Sequence, residues 1–464
     1  MTAIELPFIG GAYAGPSTNI NAQVCQNLFP IPDVVGGKTM LALRNTPGMK
    51  LWATVGSGDF RGNFVWYDYL YSVVGNTIYK INSNGVSTSV GTLSTTTGDV
   101  YMCGGVTYML ITDGSKGYYR IQADTTLTEI TDADFPIPGS CEYQDGYFIV
   151  SEKDTDYFYI SAVEDPSSWD SLEFASAEDT PDDVLVLVSH ARQLWLFGEE
   201  TTEVFVNTGN STYPFSRLSG AVLPIGVGAK GSVARGPEGL YLIDNYYRPR
   251  HAAGYDLVGI APEQIQHQID SYERKDDAEG WIYSMGGHSF YVLTFPTAKK
   301  TWVYDITTQL WHSMSSGLTG GIHRGKHGVS FADKILVGDC YNGNLYELDY
   351  ETYSDVGDNN RRVRTAQPIH KNRSLVSFSS FEIEFESGVG LVTGQGSDPQ
   401  AMLDWSDDGG HTWSNEHWAS IGKIGEYKTR VIWRRLGVSR SRIFRVTISD
   451  PVKIFMIGAF LEGG

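Results

Sequence analysis

Short runs of alternating apolar and polar residues, separated by turn-forming residues, recur along most of the chain. The clearest run is YSVVGNTIYKI at residues 71–81, where Tyr71 and Val73 precede the turn at Gly75 and Asn76. Two strands of period two around such a turn predict a tight β-hairpin. Comparable hairpins begin at Tyr108, Tyr147, Leu194, Leu240, Tyr291 and Ile335. Successive starts are therefore 37 to 51 residues apart.

This spacing is the length of one four-stranded propeller blade. A lone hairpin cannot bury its apolar face, whereas several sheets packed radially can. Seven copies predict an all-β chain with a seven-bladed β-propeller. Six blades are the alternative, because the fifth copy is irregular at residues 246–251. An array of β-sandwiches without a ring is a further possibility.

The segment LWATV at residues 51–55 predicts a strand that belongs to the last blade. Its context runs in phase with the segment that begins at Trp311, where WHSMS is the outer strand of the preceding blade. We therefore expect residues 51–55 to close the ring from the opposite end of the chain. The predicted domains are an extended N-terminal arm (1–50), a β-propeller (51–355) and a C-terminal β-sandwich-like domain (356–464).

Composition narrows the classes of function. The formal net charge of −19 disfavours binding to nucleic acid or to anionic membranes. Residues 1–20 lack the basic start and apolar core of a signal peptide, and no run approaches the roughly 20 apolar residues of a membrane span. The four cysteines form no CxxC pair, so we expect free thiols and a reducing cytoplasm.

Two motifs suggest chemistry that their contexts disfavour. Gly226, Gly228 and Gly231 match GxGxxG, but the following residues predict a strand and not the helix that binds a pyrophosphate. His323 and His327 have the spacing of a metal pair, yet flanking glycines disfavour a helix there. We expect no catalytic, cofactor-binding or metal-binding residues.

A more specific motif lies outside the repeats. Ser406, Asp408, Gly410, Thr412 and Trp413 form SxDxGxTW, which resembles the Asp-box of sialidases and other propellers. We expect the carboxylate to accept backbone N–H bonds inside the turn, and the motif to stabilise the fold without a catalytic role.

Arginine is concentrated near the end of the acidic chain. This cluster predicts either a docking patch for an acidic partner surface or phosphate, or strand faces paired with carboxylates of the same domain. Strand periodicity predicts that Arg440 and Arg442 share a face. The cluster consists of Arg430, Arg434, Arg435, Arg440, Arg442 and Arg445.

Three segments carry a resemblance to a known family. Residues 429–454, the hairpin at 406–413 and the NLFP to TPGMK segment at 27–50 resemble the packaged-DNA stabilisation proteins. These are the tail hub, or nozzle, proteins of short-tailed bacteriophages.

The resemblance implies a structural virion protein assembled in the host cytoplasm. It further implies a hexameric ring below the portal and adaptor complex, which extends the DNA channel without reading sequence and retains the genome. Tail fibres, spikes or needles are the other implied partners. The alternatives are a glycan-acting, sialidase-like propeller enzyme, suggested by the Asp-box alone, and a cellular propeller scaffold.

Overall fold

The computed structural model describes residues 4–32, 39–124, 126–177, 182–372 and 374–463. The N-terminal residues form short strands that pair with distant parts of the chain. They are β1 (Ile4–Leu6), β2 (Cys25–Gln26), β3 (Leu28–Pro32), β4 (Leu41–Asn45) and β5 (Gly48–Gly56).

Six propeller blades are each built from four consecutive antiparallel strands. Blade 1 contains β6 (Phe60–Trp66), β7 (Tyr69–Val74), β8 (Thr77–Ile81) and β9 (Ser87–Thr92). Blade 2 contains β10 (Tyr101–Gly104), β11 (Tyr108–Thr112), β12 (Gly117–Ile121) and β13 (Thr128–Glu129). Blade 3 contains β14 (Pro138–Gln144), β15 (Tyr147–Glu152), β16 (Tyr157–Ala162) and β17 (Asp165–Ser176).

The next three blades follow the same order, with two short helices between strands. Blade 4 contains β18 (Val184–His190), β19 (Gln193–Gly198), β20 (Thr202–Asn207) and β21 (Phe215–Leu223). The 3-10 helix Lys230–Ser232 precedes blade 5, with β22 (Ala234–Gly236), β23 (Gly239–Ile243), β24 (Pro249–Ala252) and β25 (Leu257–Gly259). Helix α1 (Glu263–Asp270) precedes blade 6, with β26 (Glu279–Met285), β27 (His288–Phe295), β28 (Lys300–Asp305) and β29 (Leu310–Met314).

A composite blade lies between blade 6 and blade 1. Its strands are β30 (Gly325–Phe331), β31 (Lys334–Asp339), β32 (Gly343–Asp349) and β5. Strand β5 pairs antiparallel with β32, from Gly343 opposite Gly56 to Asp349 opposite Gly48. The ring thus contains six blades of consecutive strands and this seventh, composite one.

The all-β propeller predicted from the repeats is confirmed. Each predicted repeat begins in the second strand of a blade. The irregular fifth copy corresponds to a turn around Asp244, which accepts hydrogen bonds from the backbone N–H groups of Tyr246 (2.9 Å) and Arg248 (2.8 Å). Apolar cores fill the spaces between neighbouring blades, for example Val55, Phe60 and Leu345 between the composite blade and blade 1.

The C-terminal part is the predicted β-sandwich. Two short strands, β33 (Ser354–Asp355) and β34 (Asp358–Asn359), first extend the sheet of the composite blade beside β5. The sandwich strands are β35 (Arg362–Thr365), β36 (Ile369–His370), β37 (Val376–Phe385), β38 (Gln400–Ser406), β39 (His417–Ser420), β40 (Val431–Arg434), β41 (Val438–Ser439), β42 (Ser441–Ile448) and β43 (Phe455–Gly463). One sheet has the order β3-β4-β43-β37-β40, so N-terminal strands complete it. The other contains β35, β42, β38 and β39.

Strand β2 joins this second sheet to blade 6. It pairs in parallel with β29, where Gln26 lies opposite Ser313, and antiparallel with β35, where Cys25 lies opposite Arg364. A single hydrophobic core also extends from the sandwich to blades 5 and 6 and includes Ile265 and Ile269 of α1. Propeller and sandwich therefore share both a sheet and a core.

The closing contact of the ring can be tested at Gly343. A Cβ built on this residue would lie 2.0 Å from the carbonyl oxygen of Gly56. We expect Gly343→Ala to lower the free energy of unfolding of the propeller by about 1–3 kcal/mol, because backbone atoms of β5 must move. Thermal and urea unfolding measure this loss.

Gly321→Ala provides the matched control. A Cβ at Gly321 meets no atom within 4 Å, and its backbone does not require glycine. Its unfolding free energy should stay within about 0.5 kcal/mol of the wild-type value. Equal losses in the two variants would show that β5 and β32 tolerate separation.

Candidate functional site

The Asp-box residues form a compact turn after β38. The carboxylate of Asp408 accepts hydrogen bonds from the backbone N–H of Thr412 (2.9 Å), the Thr412 hydroxyl (2.6 Å) and the Ser406 hydroxyl (2.7 Å). The Ser406 oxygen in turn accepts the N–H of Gly410 at 2.8 Å. The Thr412 hydroxyl, followed by these other donors, holds the pKa of Asp408 well below its usual range. The turn is therefore stabilised by local hydrogen bonds to an ionised carboxylate.

The same turn receives the N-terminal segment. The Thr18 hydroxyl donates a hydrogen bond to the carbonyl oxygen of Gly409. Gly409 has a φ of 77°, and a Cβ on it would lie 2.1 Å from the side-chain oxygen of Asn19. Only glycine allows both this backbone conformation and this close approach. The Asp-box turn thus binds residues 18–19 of the N-terminal segment.

Trp413 contributes an aromatic surface at the base of the turn. The guanidinium of Arg445 lies 3.8 Å from the centroid of its ring. Arg445 also forms a two-pronged ion pair with Asp404 on the neighbouring strand β38. This arginine is therefore engaged within its own domain.

Arg442 is buried and is engaged in the same way. It forms two hydrogen bonds of 2.7 Å with the carboxylate of Asp407 and donates another to the carbonyl oxygen of Leu436. The guanidinium also stacks over Phe378, with 4.6 Å to the ring centroid. Its side chain is only 2% exposed, so it is part of the sandwich core.

The other four arginines lie nearer the surface. Arg430 is paired with Glu382, with its Nε 2.8 Å from the carboxylate. Arg434 and Arg435 are exposed, and no carboxylate of the described residues lies within ion-pair distance of them. Arg440 is exposed and precedes β42.

The expectation that Arg440 and Arg442 share a face is wrong. Arg440 lies in the link between β41 and β42, where strand alternation does not apply. Its side chain is exposed, whereas that of Arg442 is buried.

Exposed cations and apolar side chains adjoin one another at this edge of the sandwich. Arg434 and Arg435 run beside Ser379 and Ser380 of β37, and Val438 lies opposite Ser377. We call Leu375, Arg434, Arg435 and Val438 the basic patch. Leu375 and Val438 are 61% and 59% exposed.

The chain is electrostatically asymmetric. Residues 361–464 contain 14 Lys and Arg against 11 Asp and Glu, a formal charge of +3. Residues 1–360 contain 21 Lys and Arg against 43 Asp and Glu, a formal charge of −22. The two parts together give the net charge of −19. The basic patch therefore lies on a nearly balanced domain that is joined to a strongly acidic one.

The two disfavoured motifs have structural positions. Gly226 packs against the backbone of Glu199, and its segment runs into the three-residue helix Lys230–Ser232 and β22. His323 is buried, and burial lowers its pKa; its Nδ1 accepts the N–H of Gly325 at 3.3 Å. Within the described ranges, no group of three or more His, Cys, Asp or Glu side chains could hold a metal ion.

Sequence reasoning missed a buried cation that binds the N-terminal segment, Arg364 on β35. Its guanidinium donates hydrogen bonds to the carbonyl oxygens of Phe8 (2.5 Å) and Gly11 (2.7 Å) and to the side chain of Gln23 (2.7 Å). Burial lowers the pKa of Arg364. The alternation of Arg362, Val363 and Arg364 was a local signal of two cations on one strand face, but it did not identify their partners.

Two family models match the chain in succession. One, described as the β-propeller of bacteriophage P22 Gp10, matches residues 4–353. The other, described as the β-sandwich of the same protein, matches residues 361–463. The comparison with curated proteins gave no match.

Solved structures show distant similarity. The computationally designed Ika8 protein is 9% identical with a TM-score of 0.39, over 73% of this chain and 100% of that one. YCF48 bound to a D1 peptide is 10% identical with a TM-score of 0.41, over 69% and 97%. PorZ of Porphyromonas gingivalis is 9% identical with a TM-score of 0.38, over 72% and 44%.

The ionised state of Asp408 predicts a pH-dependent contribution to stability. Because the folded pKa is depressed, this contribution is present above the unfolded value of about 3.9 and is lost as the pH falls through the folded pKa. We therefore expect Asp408→Asn to be less stable than wild type at pH 7. The difference should shrink steadily below about pH 4. Urea unfolding across this pH range measures it.

Asp68→Asn is the control for this experiment. Asp68 is exposed in the turn between β6 and β7, and its carboxylate accepts no hydrogen bond from the described residues. We expect its unfolding curves to follow wild type at every pH. Identical curves for Asp408→Asn and wild type at pH 7 would contradict the proposed role of the turn.

Proposed function

This chain belongs to the bacteriophage P22 Gp10 family of packaged-DNA stabilisation proteins, and we propose that it forms the hexameric hub ring of a phage tail. It is a structural tail protein and a component of the virion. The succession of both Gp10 domains over residues 4–353 and 361–463 is the observation that carries the proposal.

In this proposal the ring sits below the portal and adaptor complex and extends the channel through which DNA leaves the head. It retains the packaged genome and supports tail fibres, spikes or needles. Assembly takes place in the host cytoplasm before the particle is released. The net charge of −19 supports a channel that lets DNA pass without binding its phosphates tightly.

The fold supports a role as a structural component of the virion. Propeller and sandwich share one sheet through β2 and one hydrophobic core, so the chain is a continuous unit that can transmit load. We propose the boundaries 1–50, 51–355 and 356–464 for the arm, the propeller and the sandwich. The described residues contain no helix long and apolar enough to cross a membrane.

We further propose that the chain is not an enzyme and that part of the arginine cluster docks a partner. Three of the six arginines, Arg430, Arg442 and Arg445, are paired with carboxylates of the sandwich. The docking role therefore rests on the exposed basic patch. No observation favours the sialidase-like alternative. The Asp-box, on which that alternative rested, is a structural turn that contacts the N-terminal segment.

Imaging and particle assays test the proposed function. The purified 51.2-kDa chain, alone or with its portal and adaptor complex, should form six-fold rings in negative-stain images. Particles produced without it should lose packaged DNA, which becomes sensitive to nuclease. Turnover of a fluorogenic sialoside, or particles that keep their DNA without the chain, would contradict the proposal.

A further inference from the structure

We propose that the basic patch of one copy of this chain binds an acidic surface on the propeller of the next copy in the ring. The inference rests on the proposed hub function and adds the residues and the chemistry of the contact. It concerns a head-to-tail contact, since a ring requires two different surfaces on each subunit.

The cationic side of the contact has charges that the subunit itself does not neutralise. Arg434 and Arg435 are exposed and have no carboxylate partner among the described residues. Backbone hydrogen bonds fix their position, because the N–H of Arg435 donates to the carbonyl oxygen of Ser379 at 2.8 Å. Exposed guanidinium groups on a fixed backbone are suited to carboxylates, because each guanidinium can bind a carboxylate with two hydrogen bonds.

The acidic side lies where blade 4 begins. Asp183, Glu199 and Glu200 are exposed and form no ion pair within the described part of the chain. We call these three residues the acidic patch. Asp182 holds the two loops together, because its carboxylate accepts the N–H groups of Glu199 (2.8 Å) and Glu200 (2.9 Å). The carboxylates are therefore presented on a fixed backbone.

Global charge favours this pairing over DNA as the partner. Residues 1–360 carry a formal charge of −22, so the chain as a whole repels a phosphate backbone. The same charge attracts the basic edge of a neighbouring sandwich. Leu375 and Val438 beside the arginines add exposed apolar area, which a protein surface can cover and a phosphate backbone cannot.

Charge reversal tests the contact. We expect Arg434→Glu with Arg435→Glu, and separately Glu199→Lys with Glu200→Lys, to weaken ring assembly by about tenfold or more, because each places like charges opposite one another. A chain that carries all four substitutions should regain assembly, since the charges are complementary again. Sedimentation velocity and negative-stain imaging with the portal and adaptor complex measure ring formation.

Lys299→Glu with Lys300→Glu is the matched control. It changes the net charge by the same amount at two exposed propeller lysines, and both Lys299 (φ 53°) and Arg435 (φ 62°) have a positive φ. We expect its rings to match wild type. Circular dichroism and thermal unfolding establish that each variant is folded.

The outcomes separate the inference from the function on which it rests. A wild-type chain that forms no ring contradicts the hub function itself. Rings that persist in both single reversals, or loss that the combined variant does not restore, contradict the contact between copies and leave the hub function standing. Wild-type binding to duplex DNA that the arginine reversal abolishes would assign the patch to nucleic acid and overturn the inference.

Salt dependence gives a second measurement that requires no variant. A contact between exposed charges weakens as ionic strength rises, because the screening length falls from about 10 Å at 0.1 M to about 3 Å at 1 M. We therefore expect wild-type ring assembly to weaken about tenfold or more over this range. Assembly that is insensitive to salt would contradict the contact.

Discussion

The fold depends on a constraint of chain topology, namely that N-terminal residues complete both bodies of the protein. Strand β5 supplies the last strand of the composite blade, and β1 and β4 pair with β43 of the sandwich. Between them, β2 inserts two residues between blade 6 and the sandwich. Arg364 fixes the path of this segment through hydrogen bonds to the carbonyl oxygens of Phe8 and Gly11. An unpaired guanidinium in this buried position would carry a large desolvation cost, so the N-terminal segment and β35 depend on each other.

This constraint gives the subunit its mechanical and electrostatic character. Backbone hydrogen bonds connect blade 6 to the sandwich, and a common hydrophobic core lies beneath them. Acidic and basic regions of opposite formal charge are thus held at a fixed separation, which a flexible linker would not do. In the proposed ring, a fixed arrangement of complementary charges orients neighbouring copies as well as attracting them. Such orientation matters for a ring, where each copy must present the same pair of surfaces.

Local turn chemistry made the propeller predictable, whereas long-range pairing limited the prediction of the site. Gly75 adopts a φ of 58° in the first hairpin, as the sequence of that turn requires. The Asp-box was equally local, since Ser406, Asp408 and Thr412 bind one another. Whether an arginine is paired depends on carboxylates more than 30 residues away in sequence, such as Asp407 for Arg442. Sequence alone therefore could not separate the buried Arg442 from the exposed Arg434. A two-residue strand such as β2 likewise has no periodicity to recognise.

The segment that follows the propeller shows how far this integration extends. Residues 354–360, SDVGDNN, have the composition of a flexible linker. In the fold they are fixed by side chains: Asp355 accepts the N–H of Met49 (3.2 Å) and the hydroxyl of Ser316 (2.9 Å), and Asn360 accepts the N–H of Gly317 (3.0 Å). Asp355 is also buried, so opening this segment would expose a set of satisfied polar groups and separate β33 from β5. A hinge has few contacts and an exposed backbone, whereas this junction is buried and hydrogen-bonded. This segment therefore ties the start of the sandwich to β5, the closing strand of the propeller.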